Sequence, residues 1–122
     1  MANSQKINDI LLIFKLLLFA FLLSGMGNLP YAQTPAWTRH EITFTSKITY
    51  DNPLYEVSDF GAVFTAPSGR SKTVGGFWDG GSDWKIRFMP DETGTWTWES
   101  FCSDKSNEGL HGLSGSFNCE EN

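Results

Sequence analysis

The amino-acid sequence predicts an all-β fold, a sandwich or barrel of short antiparallel strands. Polar and apolar residues alternate through most of residues 33–122, as they do in strands that bury one face. Turn-forming residues cluster between the alternating segments, which recur at spacings of about 8–12 residues, as is typical of sandwiches and barrels. Beyond residue 32 no window of the sequence has a helical period over two turns.

Six segments carry the alternation and are predicted to be strands. In the clearest of them Trp84, Ile86 and Phe88 share one face. Lys85 and Arg87 share the opposite face, which is expected to be solvated. The six segments are residues 41–45, 57–65, 73–78, 84–88, 95–101 and 115–120.

The same alternation predicts details of the core. Val57 and Phe60 lie at mismatched positions of the second segment, which predicts a β-bulge near residues 58–59. Trp96 and Trp98 share the inward face of the fifth segment, where large aromatic side chains supply much of the apolar area that a small core needs.

Residues 1–32 have the pattern of a secretory signal peptide. Lys6 and Lys15 flank an apolar run, and residues 16–23 are continuously hydrophobic. Small residues follow, so cleavage is expected after Ala32. An uncleaved membrane anchor is the alternative, because residues 10–29 approach the length of about 20 apolar residues that a span needs. The protein is therefore expected to be secreted or periplasmic, with residues 33–122 as its single domain.

The charge balance argues against a nucleic-acid partner. The chain has 14 Asp and Glu against 9 Lys and Arg, for a net charge of −5. Binding to a phosphate backbone draws on a clustered basic surface, which this composition does not indicate. The acidity itself predicts no partner.

Both cysteines, Cys102 and Cys119, lie in the part of the chain expected to be exported. An oxidising compartment favours pairing, and two cysteines permit one intramolecular disulfide. Closing a loop of about 15 residues would contribute about 3 kcal/mol in the chain-entropy description. Two buried free thiols are the alternative.

No catalytic or metal-binding pattern emerges from the residues. Asp79 and Asp83 flank a glycine-rich turn, where such residues usually cap backbone amides. Together with Ser82 they offer too few oxygens for a calcium site. His40 and His111 have no metal-ligand spacing, and residues 112–115 do not match a nucleophile elbow. The sequence predicts neither a catalytic residue nor a cofactor.

Aromatic residues near predicted turns are the candidates for ligand binding, because such rings stack on sugars. Trp37, Tyr50, Tyr55 and Trp78 occupy such positions. Packing at the edge of the core is the alternative for each of them. Trp37, Tyr55 and Trp78, together with Asp79 in the adjoining turn, are the predicted ligand-binding residues.

Several motifs resemble, in order, the DUF5060 domain, and together they span residues 33–122. The closing motifs are GLHG at residues 109–112 and GSFNC at residues 115–119, which follow Cys102. The earlier motifs are WTRHEITF at 37–44, YDNP at 50–53, FTAPSG at 64–69, GFWDGG at 76–81, WKIRFMP at 84–90 and GTWTW at 94–98.

The resemblance implies an immunoglobulin- or fibronectin-like β-sandwich at the N-terminus of a secreted protein, typically before a (β/α)₈ barrel similar to glycoside hydrolases. It implies a non-catalytic accessory module whose partner is that barrel, and it transfers no catalytic residue because the family's carboxylates would lie in the barrel. A stand-alone carbohydrate-binding module is the alternative, and a self-sufficient hydrolase is a third reading. The resemblance leaves open whether the chain is a fragment of a longer product or a stand-alone domain.

Overall fold

A computed structural model describes residues 33–122, and the predicted signal peptide at 1–32 lies outside the described residues. The described part forms seven strands and one short helical turn, which confirms the all-β class. The elements are β1 (Gln33–Pro35), β2 (His40–Thr45), α1 (Pro53–Glu56), β3 (Phe60–Thr65), β4 (Ser71–Trp78), β5 (Asp83–Phe88), β6 (Gly94–Cys102) and β7 (Ser114–Glu120).

The strands follow one hydrogen-bonded order, β1-β7-β6-β3-β4-β5-β2. β1 runs parallel to β7, and the other neighbours are antiparallel. β4 changes partner along its length, because residues 71–75 pair with β3 and residues 76–78 pair with β5. β4 therefore connects β1, β7, β6 and β3 on one side to β5 and β2 on the other.

Aromatic rings from the two groups of strands meet in a shared core. Phe64 of β3 stacks on Phe88 of β5 with ring centroids 4.2 Å apart, and Phe88 meets the Trp96 ring of β6 at 5.0 Å. The buried indole of Trp96 donates its N–H to the backbone oxygen of Glu92 at 2.8 Å. Trp98 is only partly buried, and its ring meets Phe44 edge-on. The predicted inward face of β6 is therefore confirmed, with Trp98 at its margin.

The second predicted strand starts too early in the sequence. Residues 53–56 form α1, and the backbone N–H of Val57 donates to the oxygen of Pro53, so Val57 closes a helical turn. The strand itself begins at Phe60. The predicted bulge at residues 58–59 is therefore wrong, because the change of parity lies in the irregular residues 57–59 between the helical turn and the strand.

The predicted disulfide between Cys102 and Cys119 is also wrong, because both cysteines are free and buried. Cys102 lies opposite Phe60 at one end of β6, whereas Cys119 lies opposite Gly94 at the other end. At about 3.3 Å per residue this separates them by roughly 25 Å, while a disulfide needs α-carbons within about 7 Å. Burial raises the pKa of both thiols.

The intact protein should therefore carry two thiols without any reductant. Both are expected to resist an alkylating reagent in the folded protein and to react completely in denaturant, because burial protects them and keeps them protonated. Mass spectrometry of the protein before and after alkylation makes the measurement. Thiols that become reactive in denaturant only after reductant is added would contradict this assignment.

Candidate functional site

The loops of the described residues gather at two ends of the fold. One end of the fold, here called the C-terminal end because β7 finishes there, carries the loops at residues 36–39, 66–70 and 89–93. The opposite end, here called the loop end, carries residues 46–59, 79–82 and 103–113. Trp37 lies at the C-terminal end, while Tyr55, Trp78 and Asp79 lie at the loop end. The predicted ligand-binding residues therefore do not form one site.

A cleft of about 330 Å³ opens at the loop end, and we call it the aromatic cleft. It is formed by three stretches of chain: the segment after β2, the end of β4, and the turn that leads into β5. Its lining residues are Ser46, Ile48, Thr49, Tyr50, Asp51, Pro53, Trp78, Gly81, Ser82 and Trp84.

Trp78 is the predicted ligand-binding residue that lies in this cleft. Its ring is partly buried, and its indole N–H donates to the backbone oxygen of Gly81 at 2.9 Å. That bond is possible because the turn is tight: Gly80 and Gly81 both adopt positive φ angles, 96° and 54°, which glycine adopts without strain. Trp84, the cross-strand partner of Trp78, is buried beside it. The sequence of the turn thus fixes one wall of the cleft.

Tyr50 forms another part of the lining, and a polar cluster holds its ring in place. The hydroxyl donates to Oδ2 of Asp104 at 2.7 Å and accepts from Nδ2 of Asn107 at 3.0 Å. Burial, followed by the adjacent Asp104 carboxylate, raises the pKa of Tyr50 to about 12. The phenol therefore stays protonated at physiological pH and keeps its hydrogen bond to Asp104.

Asn107 organises the loops behind the cleft and is fully buried. Its Nδ2 donates to Oγ of Ser46 at 2.8 Å, and its Oδ1 accepts the backbone N–H groups of Lys47 and Gly109 at 3.1 and 3.2 Å. The sequence reasoning missed this residue. Asn107 stands in the polar stretch at 103–108, which is indistinguishable from an exposed loop, and no local signal marks it as buried.

The two other candidates at the loop end lie outside the lining of the cleft. Asp79 forms an ion pair through its carboxylate with Nζ of Lys85 at 3.1 Å, and Lys85 also approaches Glu41 at 3.3 Å. Hydrogen bonds to these carboxylates raise the pKa of Lys85. Tyr55, on α1, is 84% exposed. Asp79 thus serves a surface ion-pair network, whereas Tyr55 projects into solvent.

At the C-terminal end Trp37 is 64% exposed and has a φ angle of 63°. A left-handed backbone at a bulky non-glycine residue costs about 1–2 kcal/mol. The conformation is held because Trp37 donates its N–H to the oxygen of Pro90 at 2.8 Å, and the neighbouring Ala36 donates to Glu120 of β7 at 2.8 Å. Met89, next to Pro90, is 52% exposed. We use the name Trp37 face for the surface formed by the exposed side chains of Trp37 and Met89.

Both histidines have structural partners. His40 stacks on Phe117 with ring centroids 3.9 Å apart, and its Nδ1 lies 2.7 Å from the hydroxyl of Thr34. Burial lowers the pKa of His40, which favours the neutral ring. Nδ1 of His111 accepts the backbone N–H of Cys102 at 3.0 Å. These contacts assign each imidazole to packing and hydrogen bonding at a loop or strand end.

Neither a metal centre nor a membrane span is evident in the described part. Among residues 33–122 no group of three or more His, Cys, Asp or Glu side chains is arranged to hold a metal ion. Over the same residues no helix has the length and apolar character needed to cross a membrane.

Comparisons with solved structures find two informative likenesses. A Bacteroides vulgatus protein described as a "putative glycoside hydrolase" matches with a TM-score of 0.63 and 26% identity, over 75% of this chain and 16% of that chain. The filamin domain of Lin-41 matches with a TM-score of 0.51 and 11% identity, over 79% of this chain and 90% of that one. The second likeness concerns the fold alone, and it is to an immunoglobulin-like domain.

Comparisons of sequence identify the family. No curated protein sequence matches the chain. The model of a domain of unknown function, DUF5060, matches residues 33–103, which is more than half of the chain. The chain spans only about a sixth of the Bacteroides vulgatus protein, so it corresponds to a small part of that relative. On the strength of the family match and the shared fold, the chain belongs to the DUF5060 family.

Proposed function

We propose that residues 33–122 form a non-catalytic accessory module of a secreted carbohydrate-degrading protein, docked against a hydrolase domain. The observation that carries this proposal is the likeness to 16% of the Bacteroides vulgatus protein, in which most of the chain lies outside the shared domain. Fold alone does not fix function, so the proposal also needs a surface suited to docking.

The Trp37 face supplies that surface. It presents two exposed apolar side chains, and the hydrogen bond from Ala36 to Glu120 places it beside the end of β7. A domain that follows β7 in a longer relative would emerge next to this face. Strained backbone persists where the surroundings hold it and often serves a function, which here would be to present the indole to that neighbour.

Two finer parts of the proposal concern fold and export. We assign the domain to the immunoglobulin-like β-sandwiches, which the packing of Phe64 on Phe88 across the two groups of strands and the likeness to the filamin domain support. We assign residues 1–32 to a cleaved signal peptide on their sequence pattern, which makes the protein secreted or periplasmic.

Three carboxylates of the described part have structural partners, which supports the non-catalytic assignment. Glycoside hydrolysis commonly needs two carboxyl groups facing each other across a sugar. Glu41 instead pairs with Arg87 and Lys85, and the hydrogen bonds from Arg87 first and Lys85 second lower the pKa of its carboxyl group. Asp104 accepts from Tyr50, and Asp91 pairs with Arg70 at 2.6 Å. Each of these groups is held in a role that stabilises a turn or a strand.

The docking proposal can be tested in a fused protein in which residues 33–122 replace the matching segment of the Bacteroides vulgatus protein. Calorimetry is expected to give a higher melting temperature for the remaining domain in the fusion than for that domain alone. The substitution Trp37→Asn should abolish this increase in melting temperature, because asparagine tolerates the left-handed backbone but offers no apolar surface for docking. A loss of about 1 kcal/mol lowers the melting temperature by a few degrees.

Two controls make the result specific. Tyr55→Ala removes an exposed aromatic ring at the opposite end and should leave the fusion unchanged. Trp37→Asn in the isolated chain should not destabilise it, since the indole is mostly in solvent. A fusion whose two parts melt as they do separately would reject the accessory role.

A further inference from the structure

The aromatic cleft is not used by the proposed docking of a hydrolase domain. It lies at the loop end, whereas the Trp37 face lies at the C-terminal end. Its volume of about 330 Å³ is at the low end of the range of about 300–1,000 Å³ typical of ligand sites. Such a cleft suits one or a few small rings rather than a long segment of polymer.

The charges of the lining restrict the chemical class of ligand. The residues that form the cleft include no Lys, Arg or His, and Asp51 is their only ionisable carboxylate. A phosphate or carboxylate ligand would therefore meet no cation there and would be repelled by Asp51. The lining thus favours a neutral ligand.

The remaining groups suit a ligand with both an apolar face and hydroxyl groups. Trp78, Tyr50 and Pro53 offer apolar ring surfaces to the cleft. Thr49 and Ser82 are exposed hydroxyl side chains among the residues that line the same cleft. A sugar ring has this combination, with C–H groups on one face and hydroxyls at its rim.

The side chains of Trp78 and Tyr50 are held in position by hydrogen bonds within the protein itself. The indole N–H of Trp78 is held by Gly81 at 2.9 Å, and the hydroxyl of Tyr50 is held by Asp104 at 2.7 Å. Side chains that are already ordered lose little conformational entropy on binding, which favours affinity in a small site.

We propose that the aromatic cleft binds a neutral saccharide, with a sugar ring stacked on Trp78. The site gives the module a binding function of its own at the end of the fold away from the docking face. Binding at this cleft does not depend on the accessory role, because neither surface contributes a residue to the other.

The test follows the five indole N–H signals of the full chain in a ¹H–¹⁵N NMR spectrum, one for each tryptophan. Trp78→Phe and Trp37→Phe identify two of them by loss of a signal. The chain is then titrated with soluble glucan, mannan, xylan and galactan, and with polygalacturonate as an anionic polymer. The Trp78 signal is expected to shift saturably with at least one neutral polymer, with a Kd of about 1 mM or tighter, while Trp37 does not move.

A cleft-filling variant keeps the test valid if loss of Trp78 weakens the fold. Ser82 is exposed at the opening, so Ser82→Phe should weaken binding by at least about tenfold, or about 1.4 kcal/mol, without changing the midpoint of unfolding. Trp37→Asn is the matched control and should bind normally. Failure of every neutral polymer to shift Trp78, a shift of Trp37 instead, or equal binding of polygalacturonate would overturn the proposal, and none of these results bears on docking at the Trp37 face.

Discussion

Gly61→Ala is expected to lower the free energy of unfolding by about 3 kcal/mol, the upper part of the range for overpacked sites. A Cβ at this buried position of β3 would collide with the backbone oxygen of Val74 and lie 2.9 Å from Cζ of Phe101. The ring of Phe101 can turn aside, but the Val74 oxygen belongs to the neighbouring strand β4. Relief of the clash therefore requires the β3–β4 ladder to move apart.

The cross-strand partner of Gly61 provides the control. Gly75 lies opposite Gly61 in the register, but a Cβ built on Gly75 meets no atom within 4 Å. Gly75→Ala should therefore be neutral or should stabilise by up to about 1 kcal/mol, because alanine reduces the entropy of the unfolded chain. Urea unfolding followed by tryptophan fluorescence measures both variants. Equal effects at the two positions would show that the close approach of β4 to β3 is not a constraint.

Asn107→Ala is expected to cost about 3 kcal/mol as well. The substitution removes the side-chain acceptor of the Lys47 and Gly109 N–H groups and one donor to each of the Ser46 and Tyr50 hydroxyls. An unsatisfied buried polar group costs about 1–3 kcal/mol, and entry of water would offset part of the total. The loss should appear as a lower urea midpoint without a change in the slope of the unfolding curve.

A second measurement separates the loss of this network from a general loss of packing. Amide hydrogen exchange should accelerate first at Lys47 and Gly109, whose N–H groups donate to the Asn107 oxygen. Lys105→Ala, two positions earlier on the exposed part of the same loop, should change stability by less than about 0.5 kcal/mol. A comparable loss in the two variants would mean that the loop itself, and not the buried amide, sets the effect.

The strands that sequence alone predicts well are those with one buried and one solvated face. In β5 the buried Trp84, Ile86 and Phe88 alternate with charged residues, so the pattern carries nearly all the information. The sequence pattern does not predict β1, because its three residues include no apolar run and because its parallel partner, β7, is distant in the sequence. The predicted third strand begins two residues after the observed start of β4, since Ser71 and Lys72 are exposed and do not alternate with apolar neighbours.

The wrong predictions about individual sites have a different origin. Whether two side chains meet depends on the register of the strands, which the sequence pattern does not reveal. Whether Cys102 and Cys119 can pair is decided by their positions along β6, and the predicted secretory context says nothing about those positions. The separation of Trp37 from Trp78 likewise depends on which loops share an end. Trp78 lies at a strand end, as the sequence predicts, but the cleft around it also needs Tyr50. The Tyr50 ring is held by hydrogen bonds to Asp104 and Asn107, which belong to a loop that is distant in the sequence.

The pairing of β1 with β7 also affects how the domain is made and how it can be taken apart. Among residues 33–122, β1 is the first strand to be synthesised and pairs with β7, the last, so the pairs Gln33–Asn118 and Thr34–Cys119 form only after this whole domain has been synthesised. Until then β1 of the nascent chain has no β7 to pair with, and contacts between such distant segments form slowly. In the folded domain the pairing of β1 with β7 joins two segments that are far apart in the sequence. Proteolytic removal of β1 would leave the outer edge of β7 without its partner strand, and removal of β7 would do the same to β1.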